Sequence, residues 1–348
     1  MKYGLVFFSD TDNVGDDIQS YAAMRFLPSV DYVIDREHLD AFSLKDQKDG
    51  PVSVIMNGWY LHNKCNWPPS NMINPLPISM HFTKWDRYRI GSSFLERLGG
   101  EYLRHYEPIG ARDDSTMEIL QDLGIEAYFS GCMTLTLEMP YSGDKTDEII
   151  LVDVEEKISE RIKAQKPDAH WIEISHTVIP EEYRKLSMNE RFSKVEALLK
   201  RYQQASCVVT ERLHCALPCL ALGTPVLLIY HPERLDRMGS FLGLLHTATP
   251  EELLEGKTEF DVFHPPVNSE LYMNIRKQLE EKCKQFIYNC EQGNYPSPPQ
   301  YSNEEIRKWK RWLIWRPLQI CGRFVSDTRI GRIMLKVLSK VKKQKIVL

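Results

Sequence analysis

The chain has 348 residues, 43% of them hydrophobic and 26% charged, an ordinary globular composition with room for roughly two domains. Its net charge is −4, so no global basic field argues for nucleic acid as a partner. From Ile306 to Leu348, however, thirteen Lys/Arg face a single acid, Asp327, a net +12 that leaves −16 on the rest of the chain. An acidic body with a basic tail points to a specific electrostatic partner for the tail.

No apolar run is long enough to span a bilayer, and the opening "MKYGLVFF" is too short for the apolar segment of a secretory leader. The eight cysteines are scattered, with no zinc-site spacing and no sign of a disulfide framework. The expectation is a reduced, cytoplasmic protein with no metal and no cofactor.

In chain order, "YGLVFF" (3–8) reads as a buried strand, followed by a helical pattern from Ile18 to Phe26; "VSVIMNG" (52–58) is a second strand. The stretch 57–82, rich in Pro, Asn and aromatics, reads as an extended loop; its Trp59, Tyr60 and Trp67 suit either stacking on sugar faces or a local hydrophobic cluster. "IGARDDSTMEILQDLGI" (109–125) is strand, turn and helix, and "AYFSGCMTLTL" (127–137) is strand and loop. A polar break at 139–147 marks a linker. A second series follows, with strands at 148–154, 170–178, 205–210 and 225–230 and helices from Arg191 to Gln204 and from about Leu213 to Leu222. A long charged helix lies near Asn268–Cys290, then a loop at 293–303 and the tail. Alternating β and α predicts two Rossmann-like α/β domains (1–142 and 148–292) with a cleft between them, plus a helical tail (303–348). Ligands in such sheets sit beyond the carboxyl ends of the strands.

Three polar clusters fall at those ends. In "TDNVGDDIQ" (11–19), Gly15 allows a tight turn and close approach. Asp16 with Gln19 makes a plausible capping box; the run also holds Asn13 and Asp17, of which either suits a role facing the cleft. In "GARDDST" (110–116), Arg112 precedes a helix whose cap is Asp113, Asp114 or Ser115, a place where an Arg can grip an anion or pair with its acidic neighbours. In "CVVTERLHCALPCLALGTPVLLIY" (207–230), an apolar helix ending at Gly223 begins with Glu211, Arg212, Leu213 and His214. A local Glu211–Arg212 ion pair and a structural His214 would explain the charges, but the trio at a strand-to-helix corner argues for function.

The tail carries a helical stripe of Ile330, Ile333, Met334, Val337, Leu338 and Val341 flanked by Lys and Arg. Trp309, Trp312 and Trp315 alternate with basic residues upstream. That combination suits an anionic membrane surface; the competing expectation is a helix docked on the chain's own acidic body.

Together, "NVGDDIQSYA", "GARDDSTMEILQDLGI" with "FSGCMTLTL", and "VVTERLHCALPCLALGTPVLLIY" occur in an order that resembles the polysaccharide pyruvyl transferase family over about residues 3 to 245. The resemblance implies a GT-B-like arrangement of the two domains and transfer of pyruvate from phosphoenolpyruvate (PEP) to a sugar as a cyclic ketal. It implies that Arg112 binds an anion and that Arg212, Leu213 and His214 form the family's Arg-Leu-His triplet. Where members of the family often carry a Lys after the last strand, this chain offers Arg234 and Arg237.

On this reading Arg112 and Arg212 hold the phosphate and carboxylate. An imidazolium at His214 protonates the methylene carbon. Asp16 or Asp17 orients or deprotonates a sugar hydroxyl, and Glu211 positions Arg212. The expected acceptor is a precursor of a cell-surface polysaccharide, in the form of a lipid-linked oligosaccharide at the inner face of the membrane. The alternative is a GT-B glycosyltransferase using a nucleotide sugar, with Glu233 on its ribose.

Overall fold

A computed structural model describes residues 1–44, 50–60, 66–83, 91–140, 143–232 and 235–326. The first domain is a six-stranded parallel sheet. Its strands are β1 (Tyr3–Phe7), β2 (Tyr32–Asp35), β3 (Val52–Trp59), β4 (Ile73–His81), β5 (Ile109–Ala111) and β6 (Ala127–Phe129), in the order β2-β1-β3-β4-β5-β6. Helices α1 (Val14–Met24), α2 (Leu98–Arg104) and α3 (Asp114–Asp122) connect them. The second domain is a five-stranded parallel sheet in the order β11-β10-β9-β7-β8. It comprises β7 (Ile149–Val152), β8 (Trp171–Ile174), β9 (Cys207–Thr210), β10 (Val226–Ile229) and β11 (His246–Ala248). Its helices are α4 (Glu156–Lys163), α5 (Pro180–Tyr183), α6 (Met188–Gln204), α7 (Leu213–Ala221), α8 (Leu235–Leu242) and α9 (Pro250–Glu255); α10 (Met273–Glu291) and α11 (Asn303–Ser326) complete the chain. The continuous apolar runs of β7, β9 and β10 are buried throughout, as strands covered on both faces must be. Two Rossmann-like sheets across a cleft is the architecture expected from the sequence.

Two expectations are corrected. The stretch 57–82 is not one extended loop, because β3 runs to Trp59 and β4 occupies Ile73–His81. The prolines that argued against a strand, Pro75 and Pro77, pair with β3 on one side, while β5 reaches β4 only at Met80. A strand bonded along one edge has no use for the missing N–H on the other. Trp67 and Tyr60 are buried, Trp67 edge-on to Phe94 and Tyr102, so these two rings form the local hydrophobic cluster. The second correction is at α1, which starts at Val14 with Asn13 as its N-cap, the side-chain oxygen accepting from Gly15 N at 2.9 Å. Asp16 bonds Gln19 at 3.2 Å and Thr11 at 2.7 Å from inside the first turn.

The two domains share one core. Ile18 and Ala22 of α1 pack in the same cluster as Val208, Ala216 and Leu220 of the second domain. Backbone bonds cross the boundary as well: Val14 N donates to the His176 carbonyl and Val178 N to the Asp12 carbonyl, both at 2.9 Å. On the far side of the cleft, Asp114 N donates to Ser240 Oγ at 2.8 Å, and that hydroxyl donates to the Asp114 carboxylate. The cleft is therefore closed at two points by short polar contacts.

Helix α10, second-domain by chain order, returns to the first sheet: Leu279 and Cys283 pack with Ile55 and Ile78, and Asn74 donates to Cys290 Sγ. The described part of the tail docks on the body. Trp309 (4% exposed) and Leu313 join the first-domain core, Trp309 Nε1 donates to the Glu96 carbonyl, and Lys310 pairs with Asp40. Arg97 lies over the Trp312 ring at 4.5 Å. Trp309 and Trp312 are thus engaged inside the fold, contrary to the expectation of a membrane-facing tryptophan cluster; Trp315 is exposed. The stripe from Ile330 onward lies outside the described residues. Among the described residues no helix is long and apolar enough to cross a membrane.

Candidate active site

The carboxyl ends of both sheets deliver side chains to one cavity of about 330 Å³. It is lined by Asn13, the N-cap of α1, Arg112 after β5, His176 after β8, Glu211, Arg212, Leu213 and His214 at the β9–α7 corner, and Arg237 and Met238 on α8. Of the residues singled out from sequence, the fold brings together Asn13, Arg112, Glu211, Arg212, Leu213, His214 and Arg237. Arg234 and Glu233 lie outside the described residues.

Arg112 is 1% exposed. Its Nε donates to Asp113 at 3.3 Å, and neither terminal nitrogen has a partner among the described residues. A buried guanidinium is costly unless its donors are met, so this geometry calls for an anion. Asp113, the N-cap of α3, accepts from Thr116 N, Ser115 Oγ and Thr116 Oγ1 and meets His81 Nδ1 at 2.7 Å. Burial pushes its carboxyl up, but the His81 hydrogen bond and the Arg112 charge outweigh that and hold it well below the usual carboxylate range. Burial and Arg112 push His81 down to about 4. The consistent state is a neutral His81 donating to an ionised Asp113, which in turn orients Arg112.

His214 sits at a backbone turn (φ −80°, ψ 16°) inside α7, in the sparsely allowed bridge region. Its Nε2 is buried without a partner among the described residues. Burial first, then Arg112, Arg237, His176 and His81, hold its pKa well below the ordinary value. That environment favours a neutral imidazole at His214 rather than the imidazolium expected from sequence.

Arg212 is held by Asp153, Nε to Oδ2 at 2.8 Å, and by Thr177 Oγ1 at 3.0 Å, with 40% of its side chain exposed. Asp153 follows β7 with φ +48°, a left-handed turn that Asp tolerates better than most residues. Glu211 does not position Arg212: its carboxylate accepts from Glu155 N at 2.8 Å and meets His231 Nε2 at 3.2 Å. Arg237 lines the mouth within 6.0 Å of the Trp59 ring.

The two α1 aspartates are not in the cavity lining. Asp17 is fully buried and receives Arg191 at 2.9 and 2.6 Å and the Tyr183 hydroxyl at 2.6 Å, a structural ion pair across the domain boundary. Asp16 is occupied by Thr11 and Gln19. Sequence reasoning missed His176, Asp153 and the His81–Asp113 pair. His176 and Asp153 stand at the ends of strands already recognised, so the strand-end rule applied to "LVDV" and "EISH" would have found them.

The arrangement offers fixed cations for a small polyanion and neutral imidazoles able to carry protons beside it. A family model described as polysaccharide pyruvyl transferase matches residues 13–233, well over half of the chain and including most of the cavity lining. Among solved structures, the chain is similar to S. aureus MnaA with UDP (11% identity, 87% of this chain and 100% of that chain covered, TM-score 0.42). It is also similar to a UDP-N-acetylglucosamine 2-epimerase (13%, 87% and 100%, TM-score 0.45) and to the wall teichoic acid polymerase TagF (10%, 92% and 89%, TM-score 0.35). No curated protein matches. With its Arg112, Arg212 and His214 gathered at the cleft and the matched region spanning both sheets, the chain belongs to the polysaccharide pyruvyl transferase family, a family of transferases.

Proposed function

We propose that the protein transfers the pyruvyl group of PEP to two hydroxyls of one sugar in a cell-surface polysaccharide precursor, closing a cyclic ketal and releasing phosphate. The observation that carries this reading is the pair of unmet terminal nitrogens on the fully buried Arg112 beside the unmet Nε2 of His214 in one cavity. PEP brings a phosphate and a carboxylate. Arg112 meets one anionic group with two parallel bonds, and Arg212, oriented by Asp153, meets the other.

The bound ligand changes the charge balance around His214. Its anionic groups oppose the field of Arg112 and Arg237, which favours the imidazolium that burial and those cations disfavour. His214 then donates its proton to the methylene carbon of PEP. The electrons of the carbon–carbon double bond form the new C–H bond, and C2 becomes oxocarbenium-like. One sugar hydroxyl attacks C2, the C2–O bond to phosphate breaks, and the second hydroxyl closes the ring. Two hydroxyl protons are released: one replaces the proton delivered by His214 and the other leaves with phosphate.

The lipid-linked form of the acceptor and the contact with an anionic membrane belong to the same proposal. Their support is the concentration of +12 in the last 43 residues.

Isothermal titration of PEP into the wild-type protein, Arg112→Ala and Arg212→Ala tests the donor. Binding weakened by both substitutions supports the reading. PEP affinity unaltered in both variants, or saturable binding of a UDP- or GDP-sugar in place of PEP, overturns it.

A further inference from the structure

His176 follows β8, and every polar atom it carries but one is engaged within the protein. Its N–H donates to Asp153 Oδ2 at 3.0 Å, its carbonyl accepts from Val14 N at 2.9 Å, and its ring Nε2 meets the Tyr202 hydroxyl at 2.7 Å. Tyr202 on α6 is itself fully buried, so the imidazole is braced from behind. The remaining nitrogen, Nδ1, has no partner among the described residues. The residue is 0% exposed and lines the cavity with Arg112 and His214. An unmet buried polar atom costs about 1–3 kcal/mol, so one held this firmly at a ligand cavity points to a ligand contact.

The charges around the ring decide what kind of contact. Arg112 and Arg212 line the same cavity, Asp153 binds Arg212, and His214 stands alongside. A neutral imidazole in such a field is best placed with a lone pair, rather than an N–H, toward the guanidinium groups. Nε2–H then donates to the Tyr202 oxygen and Nδ1 is an acceptor. The phosphate and carboxylate of PEP have nothing to offer an acceptor; a sugar hydroxyl does.

We propose that His176 Nδ1 takes the proton of the sugar hydroxyl that attacks C2, an assignment that rests on the pyruvyl-transfer reading. The O–H bond breaks as the oxygen lone pair forms the C2–O bond. The proton then passes from Nδ1 to the phosphate oxygen as the C2–O bond to phosphate breaks. His214 supplies the carbon proton and His176 serves the oxygen chemistry, a division that neither Asp16 nor Asp17 is placed to provide.

The test uses cell-surface polysaccharide purified from cells lacking this gene as acceptor, with PEP as donor, and measures ketal-bound pyruvate and released phosphate. In His176→Gln, kcat is expected to fall at least about 100-fold, with calorimetric PEP affinity held within about threefold. The acidic limb of the pH–rate profile is expected to disappear, and imidazole to restore part of the activity of His176→Ala. Should neither variant fold, Tyr202→Phe decides, since loss of the brace must shift the acidic limb. Activity of His176→Gln within about threefold of wild type overturns the assignment. So does a loss of PEP binding as large as that of Arg112→Ala, which would put the ring on the donor, or an unshifted limb in Tyr202→Phe. A wild-type protein that incorporates no pyruvate, either into this polysaccharide or into lipid-linked oligosaccharide extracted from the same cells, overturns the pyruvyl-transfer reading itself.

Discussion

Gly15 and His214 touch so closely that no side chain fits between them: a Cβ at Gly15 would lie 2.9 Å from the His214 Cβ and 3.2 Å from its Nδ1. One residue opens α1 of the first domain and the other opens α7 of the second. The orientation of His214 is therefore set by the opposite domain. From sequence, Gly15 suggested close approach of a ligand; the group that approaches is the imidazole.

This contact gives a prediction whose sign opposes local propensity. In a helix, Gly→Ala alone stabilises by roughly 0.5–1 kcal/mol. At Gly15 the clash should dominate, so Gly15→Ala is expected to destabilise by about 1–3 kcal/mol and to cut kcat more than it changes PEP affinity. Chemical unfolding and steady-state kinetics check both; a more stable, fully active variant would remove this contact from the argument.

Asp17 is expected to matter for folding rather than chemistry. Removing one partner of a buried ion pair costs about 3–5 kcal/mol, so Asp17→Asn should lower the melting temperature sharply. Its folded fraction, measured by calorimetry at low temperature, should still bind PEP. A variant of normal stability with abolished turnover would return Asp17 to the reaction.

PEP binding should be linked to proton uptake. His214 has a lowered pKa in the free site, so it is neutral near neutral pH, and an anion beside it raises that pKa. Titrations in buffers of different ionisation enthalpy should therefore show proton uptake on binding that is absent in His214→Gln. Equal uptake in the two proteins would place the proton elsewhere.

Acid should destabilise the fold before the carboxylates titrate. Burial pushes both His176 and His81 down to about 4, below the unfolded value of about 6.5. The unfolded chain thus binds more protons, and stability present above about pH 6.5 is lost as pH falls toward 4. Each histidine contributes on the order of 3 kcal/mol across that window. Urea unfolding at several pH values should show a shallower acid slope in His176→Gln than in the wild type; identical slopes would mean that His176 does not titrate in this range.

Truncation before Asn303 removes Trp309 and Leu313 from the core, and burial of such side chains is worth about 1.5–3 kcal/mol each, so that variant should lose stability. Truncation before Arg329, which removes the basic apolar-striped segment read from the sequence, should keep activity on a short soluble acceptor and lose binding to vesicles containing phosphatidylserine. Retained vesicle binding would assign the contact to another surface.

The sequence by itself determined the local elements and the residues at their ends. Apolar runs of β7, β9 and β10, the short β5 and the helix from about Leu213 to Leu222 follow from composition and periodicity within a few residues of chain; Arg112 follows β5, and Arg212 and His214 stand at the β9–α7 corner. It could not show β4, because prolines are admitted by the one-sided pairing of that strand, which depends on where β5 stops. Nor could it separate the roles of neighbouring charges. Glu211 and Arg212 are adjacent in sequence yet bind His231 and Asp153, and Asp16 and Asp17 are adjacent yet one serves its own helix while the other pairs with Arg191, 174 residues away. The tail tells the same story, since Trp309 faces Glu96 and the first-domain core instead of the solvent. Local propensity acts over a few residues, whereas burial and ion pairing act wherever the chain returns. The tertiary structure alone decided which polar atoms were satisfied, and that those on Arg112, His214 and His176 have no partner among the described residues.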